Sequence, residues 1–418
     1  MANLDWHGER ASLDDIRLLD RSPTTGEIDE VAVRTYRLGR VRSEMARRDI
    51  AAVILNDAVN IRYATGTRNM QIFTSRNAAA RYLLLTGSEA ILFEFTGCMH
   101  LADGFETITE VLPSMTASYV AAGPAIAERE IEWAGGMADL LRAKVGTGAR
   151  VGMERFNSGA AIALSLEGFT LCDAQEPVER ARAIKSAEEL KCVQASIRAT
   201  ERAVHNLRGA IRPGITENEL WSVLHQGVIA QGGDYVETRL LNSGDRTNPW
   251  FQESSDTTIR PNSLIALDTD VVGCYGYYCD FSRTFHAGPD APSATQKELY
   301  KTAYEQVQHN IGIIKPGMTL REYAEKAWDI PEKYFANRYY LSAHGTGMTG
   351  EYPYLYHRAD FPDAGYDGVI EPNMTICVES FIGENGQGEG VKLEEHCLIT
   401  DNGIEVLSQF PFEESLLA

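Results

Sequence analysis

Apolar residues recur along this chain with two different periods. Helical spacing runs from Ala32 to Arg48 and from Ala127 to Ala143, and between these stretches lie short apolar runs of strand length: AAVIL at 51, YLLL at 82, AILFEF at 90 and RVGME at 150. Helices alternating with strands predict a layered α/β domain over residues 1–185. A charged stretch, EPVERARAIKSAEEL, then leads into a long amphipathic helix from Ser186 to Gly209. Its stripe is Leu190, Val193, Ile197, Val204 and Leu207, with Thr200 in the one remaining position. The start of this helix marks the domain boundary, so residues 186–418 form the second domain. Further helices are expected at Glu217–Ala230, Ser293–Ile313 and Leu320–Phe335, followed by strands at TICVESF, VKLEEHCLIT and IEVLS.

Composition narrows the function classes. The 418 residues, 44% of them hydrophobic, suffice for two globular domains with their own cores. A net charge of -20 argues against a nucleic-acid backbone or an anionic membrane as partner. The stretch MANLDWHGERASLDD lacks the apolar core of a signal peptide and no run is long enough to span a bilayer, so a cytoplasmic location is expected. Seven scattered cysteines without a CxxC pair read as reduced, mostly buried thiols. No glycine-rich phosphate loop is present.

The chemistry concentrates in the second domain. In LIALDTDVVGCYGYYCDFSRTF, residues 264–285, an apolar strand runs into Asp268 and Asp270, and Asp280 follows. His344 lies in LSAHGTGMTG, Glu379 in MTICVESF and Glu394 in GVKLEEHCL. Singly, each has an ordinary reading: a strand-terminal Asp caps a turn, a lone His packs, and Glu394 beside Glu395 forms a solvated edge. Together they are carboxylates and one imidazole aimed into a sheet interior, where unpaired charge costs several kcal/mol, of the order set by ionic desolvation. Oxygen-rich ligation with one His suits two transition-metal ions, Fe, Zn, Mn or Co, rather than Ca or Mg.

At these residues the sequence resembles the pita-bread metallopeptidase group of methionine aminopeptidase, prolidase and creatinase. The group's order Asp, Asp, His, Glu, Glu is matched by the DxD at 268, Asp280 in GYYCDFSRTF, His344 in HGTGM, Glu379, and Glu394 in KLEEH. The first half is similar to the smaller domain that precedes the catalytic domain in creatinase and prolidase. The resemblance implies an α/β (α+β) chain, a creatinase/prolidase-like N-terminal domain followed by a pita-bread catalytic domain. It also implies a homodimer in which RNMQIFTSRNAAARY of one subunit borders the other's pocket.

Two departures bear on activity. The peptidases carry a His in the segment matching SGDRTNPWFQ, where this chain has Trp250. They carry another in HGxGxxxHExP, where HGTGMTGEYP places Gly350 and Glu351. The DddP-type dimethylsulfoniopropionate lyases are a more similar branch, with two aspartates twelve and ten residues before the next metal Asp, as Asp268 and Asp270 stand to Asp280, and with segments like NIRYATGTRNMQ and RTNPWFQE. That likeness implies Asp268, Asp270, Asp280, His344, Glu379 and Glu394 as metal-site residues and Tyr339 as a match to a tyrosine important for the lyase. One match fails, because the lyases' proposed base, an Asp six residues past the metal His, is Gly350 here.

The expected function is a metal-dependent lyase cleaving a small onium acid such as dimethylsulfoniopropionate to dimethyl sulfide and acrylate. Tyr339, Glu351 or a metal-bound hydroxide are then the candidates to carry the proton, with Tyr339 or the hydroxide preferred over Glu351. Aromatic side chains, foremost Trp250, Tyr277 and Tyr352, would face the cationic group, each well-placed contact contributing about 1 to 2 kcal/mol. Plain sheet packing is the competing explanation for such tyrosines. The alternative function is a metal-water hydrolase of a small C–N bond, like creatinase, ectoine hydrolase or an Xaa-Pro peptidase. A non-catalytic binder has little reason to keep the full ligand set.

Overall fold

The computed structural model describes residues 28–76, 80–386 and 388–418. The first 27 residues, and residues 77–79 of RNMQIFTSRNAAARY, lie outside the described residues. The chain divides into two compact units, Asp29–Arg182 and Ala183–Ala418.

In the first unit the apolar runs form strands β1 Ala52–Leu55, β2 Tyr82–Thr86, β3 Ala90–Glu94, β4 Glu110–Pro113, β5 Arg150–Met153 and β6 Thr170–Asp173. They make one mixed sheet in the order β4-β3-β2-β1-β5-β6. The helix Ile126–Val145 lays Trp133, Met137 and Leu141 on Ile54, Leu84, Ile91 and Val151, which is why its apolar positions keep helical spacing. The short helix Ala58–Thr65 carried no periodic signal. Its start is set by Asp57, whose carboxylate accepts the backbone N–H of Val59.

The second unit opens with the helix Ala187–Ala210, held at its start by a reciprocal cap between Ser186 and Glu189. Val193, Ile197, Val204 and Leu207 are buried as the stripe requires, and Thr200, also buried, donates its hydroxyl to the Ser196 carbonyl at 2.9 Å. The expected helix Leu320–Phe335 is instead two, Leu320–Lys326 and Glu332–Phe335, because Pro331 disfavours helical backbone at the residue before it.

The strands of this unit begin with β7 Tyr235–Val236, β8 Leu241–Ser243, β9 Leu264–Asp268, β10 Val271–Val272, β11 Tyr278–Cys279 and β12 Ser282–His286. They continue with β13 Ala343–Thr346, β14 Gly350–Leu355, β15 Thr375–Gly383, β16 Gly390–Thr400 and β17 Gly403–Val406. They form three sheets, in the orders β11-β10-β7, β12-β9-β8 and β14-β13-β15-β16-β17. Side chains join β12 to β16. The Thr284 hydroxyl accepts the Lys392 N–H at 3.0 Å and donates to the Lys392 carbonyl at 2.9 Å, and Arg283 donates to the Glu394 carbonyl at 2.8 Å. Arg283 and Glu395 are both fully buried and paired at 3.1 Å, so Glu395 is no solvated edge.

Among the described residues no helix is long and apolar enough to cross a membrane. All seven cysteines are free, five of them buried.

Removing one partner of a buried ion pair leaves the other charge uncompensated. Arg283→Met is therefore expected to lower unfolding stability by about 3–5 kcal/mol, read by urea denaturation with far-UV circular dichroism.

Candidate metal centre

Strand alternation brings the acids to one place. In β16, Lys392, Glu394 and His396 point to one face while Glu395 points to the other. In β15, Cys377 and Glu379 share a face, and the register sets Glu379 directly opposite Glu394. His344 comes from β13, paired with β15 at Cys377. Asp268 ends β9, opposite Ser282 of β12, and Asp280 precedes that strand. Asp270 follows the β9 end with a left-handed backbone, φ 41°. All six residues predicted as ligands thus belong to one site. Five of them are buried, and Asp270 is half-buried.

Two ligand groupings are visible. The ligand atoms of Asp280, His344, Cys377 and Glu394 all lie within 4.8 Å of one another, as do those of Asp268, Asp270 and Asp280. Nε2 of His344 is 3.3 Å from Glu394 Oε1, 3.6 Å from Asp280 Oδ2 and 3.8 Å from Glu379 Oε1. Asp280 Oδ1, Glu379 Oε1 and Glu394 Oε1 are buried without a hydrogen-bond donor. Buried carboxylate oxygens lacking donors, gathered around an imidazole nitrogen, fit a metal ion, which supplies the missing positive partner. Both oxygens of Asp270 accept hydroxyls, Oδ1 from Tyr278 at 2.7 Å and Oδ2 from Thr238.

One cation in the site was not anticipated from the sequence. Lys392, fully buried, places Nζ 2.9 Å from Glu379 Oε2, 2.8 Å from Glu394 Oε2, 3.0 Å from Ser282 Oγ and 3.4 Å from Asp268 Oδ2. Its signal was available, since it stands two residues before Glu394 in a strand and so must share its face. Ser282, whose hydroxyl lies 2.7 Å from both Asp268 Oδ1 and Glu394 Oε2, carried none.

The electrostatics follow from burial and charge. Burial pushes Asp280 well above the carboxylate range, and Glu394 adds to the shift. Burial raises Asp268 to about 8 and Glu379 to about 7, against the pull of Lys392. Burial works against the Glu394 anion too, but Lys392 and His344 hold that carboxyl below its usual range. Burial would lower His344, yet the nearby carboxylates of Glu394, 3.3 Å from its Nε2, and Glu379 raise it to about 9. The neighbouring acids likewise outweigh burial at Lys392 and lift it well above its ordinary value.

The remaining predicted residues fall differently. Tyr339 lies beside the cluster, its ring 4.9 Å from Lys392 Nζ, and burial with the Glu379 charge raises its phenol. Glu351 is engaged elsewhere, with Lys185 holding its Oε1 at 2.6 Å in a buried pair. Gly347 and Gly350 gave the backbone room to rotate, but a Cβ on Gly347 would meet Glu351 Oε1 at 2.3 Å, so that carboxylate packs against the turn. Tyr277 is fully buried and donates its hydroxyl to Glu189 at 2.8 Å. Trp250 packs in an apolar cluster with Leu240, Ala266 and Phe381, and Tyr352 stacks on Tyr366 at 5.9 Å. A Cβ at Gly350 would rest 3.8 Å from His344 Nδ1, so that position adjoins His344 and has space for a side chain.

With fold and site in place, the chain is assigned to a class: it belongs to the metallopeptidase family M24, which matches residues 191–401. The creatinase/prolidase N-terminal domain matches residues 37–184. Among curated proteins, it is 31% identical to a dimethylsulfoniopropionate lyase DddP of Roseovarius nubinhibens over 92% of this chain and 87% of the relative. It is 30% identical to the same-named protein of Roseobacter denitrificans over 100% of this chain and 91% of the relative. An Xaa-Pro dipeptidase from Bacillus anthracis shares the fold at TM-score 0.72 and 22% identity, covering 91% of this chain and 98% of that one. The two-domain pita-bread architecture expected from the sequence is thereby confirmed.

A His raised to about 9 is protonated at neutral pH, and a metal must displace that proton. Affinity for added Zn or Mn is expected to rise between pH 6 and 9, with proton release on binding. Titration calorimetry in buffers of different ionisation enthalpy measures both.

Proposed function

We propose that the chain is a metal-dependent lyase of small onium acids, with dimethylsulfoniopropionate as the model substrate and dimethyl sulfide and acrylate as products. The observation carrying this reading is the clustering of Asp268, Asp270, Asp280, His344 and Glu394, with Glu379 3.8 Å from His344, supported by full-length similarity to two such lyases. Asp268, Asp270, Asp280, His344, Glu379 and Glu394 would hold two ions, Fe, Zn or Mn, which supply a charge that binds the substrate carboxylate and acidifies the adjacent C–H. In the elimination that C–H bond breaks, its electron pair forms the C=C bond, and the C–S bond breaks with its pair leaving on sulfur.

Tyr339 is the side-chain candidate for the proton that stands beside the cluster, since Glu351 is tied to Lys185, and a metal-bound hydroxide is the other candidate. A phenol accepts a proton only after losing its own, and the raised Tyr339 needs neighbouring positive charge for that. Lys392, 4.9 Å from the ring, supplies one such charge. Lys392 and Ser282 keep Glu379, Glu394 and Asp268 in fixed orientations. Residues 186–418 are read as the catalytic domain and the assembly as a homodimer working in the cytoplasm, of which light scattering tests the dimer.

Gly350 favours a second reading, hydrolysis of a small C–N bond, because the acid found there in the lyases is missing. Trp250 at one peptidase histidine position, and Gly350 with Glu351 at the other, weigh against the peptidase form of it.

Metal-loaded protein should release dimethyl sulfide from dimethylsulfoniopropionate and little amine from creatine or Xaa-Pro dipeptides, followed by headspace analysis beside an amine assay. Tyr339→Phe should lose roughly a hundredfold or more in kcat, the scale of general acid–base catalysis. Lyase activity that appears only in Gly350→Asp would transfer the natural reaction to the hydrolase reading.

A further inference from the structure

The aromatic residues first expected to meet the substrate's positive charge have little ring face to offer it. Trp250 and Tyr277 are buried among apolar or hydrogen-bonded partners, and Tyr352 is stacked on Tyr366. Two other rings stand beside Tyr339. Phe251 lies 5.1 Å from the Tyr339 ring and 6.2 Å from Tyr340, and Tyr339 and Tyr340 are 4.9 Å apart, so the three are mutual neighbours.

Phe251 and Tyr340 are also exposed, by 55% and 49%. Phe251 holds a left-handed backbone, φ 70°, a conformation that costs a bulky residue about 1–2 kcal/mol. An apolar ring kept half in water on strained backbone contributes little to the core. The neighbouring geometry shows what such faces attract here, because Lys392 sets its ammonium 4.9 Å from the Tyr339 ring centre. That same ammonium touches Glu379 and Glu394, so the aromatic group begins one side chain away from the ligand set.

We infer that Phe251 and Tyr340, together with Tyr339, form the face that recognises the cationic group of the substrate, and so set its specificity for onium acids over neutral acids. This inference rests on the onium-acid reading above. An onium cation is large and weakly hydrated, so the negative face of a ring competes well with water for it. A neutral ligand of the same shape gains only contact area from those rings.

The test uses full-length, metal-loaded protein and two probes of nearly equal shape, 3-(trimethylammonio)propionate and its uncharged-tail isostere 4,4-dimethylpentanoate, with binding measured by calorimetry. The wild type should favour the cation. In Phe251→Leu and Tyr340→Leu that preference should fall about fivefold, which corresponds to roughly 1 kcal/mol, while affinity for the isostere stays within about twofold. Phe251→Trp should restore the preference. Equal weakening of both probes, or an altered oligomeric state by light scattering with unchanged preference, assigns Phe251 to packing or to a subunit contact and overturns the inference. A wild type that binds both probes equally removes the onium reading itself. A wild-type preference that survives both Leu variants removes only this inference.

Discussion

Mutual repulsion among five carboxylates, three on strands and two in the short segments beside them, is the constraint to which the second unit is fitted. Glu379 and Glu394 face each other directly in the β15–β16 ladder, an arrangement of like charges that destabilises a sheet unless a cation intervenes. Lys392 intervenes for the oxygens on one side, touching Glu379, Glu394 and Asp268. The oxygens on the other side, with His344, are left without donors. Five acids against one lysine leave a surplus of negative charge that two divalent ions would cancel. Burial is the main cause that pushes Asp268, Asp280 and Glu379 towards their protonated forms, with the neighbouring acids adding to it, while at His344 those acids outweigh burial.

Rigidity around the cluster comes from a layer that carries no ligand. Arg283 binds Glu395 and the Glu394 and Phe410 carbonyls, and Thr284 ties β12 to both backbone groups of Lys392. These bonds fix the relative positions of Asp268, Asp280 and Glu394 although β12 and β16 belong to different sheets. A centre whose ligands come from four strands needs such bridges, because small shifts between sheets would change every ligand distance.

Much of the site was legible in the sequence because ligands on strands announce themselves: apolar runs located β9, β15 and β16, and the acids within them could only be costly or functional. The buried stripe of the helix Ala187–Ala210 was equally plain from its spacing. Tertiary partners were not legible. Glu351 stood next to the site in sequence, but Lys185, 166 positions earlier, takes its carboxylate. Trp250 and Tyr277 read as ring faces near a ligand, and their burial and partners were not visible in the sequence. Lys392 could have been placed by strand alternation. Phe251 could not, since its exposure and its left-handed backbone are properties of the folded chain alone.

The central claim is that this cluster is a cation site and not merely a lysine-neutralised acid core. Equilibrium dialysis of the full chain against Zn or Mn, with metal measured by mass spectrometry, tests it most directly. About two ions per chain are expected for the wild type, with large losses in His344→Ala and Glu379→Ala while both variants remain folded. A wild type that binds no metal, or variants that keep full occupancy, would contradict the account.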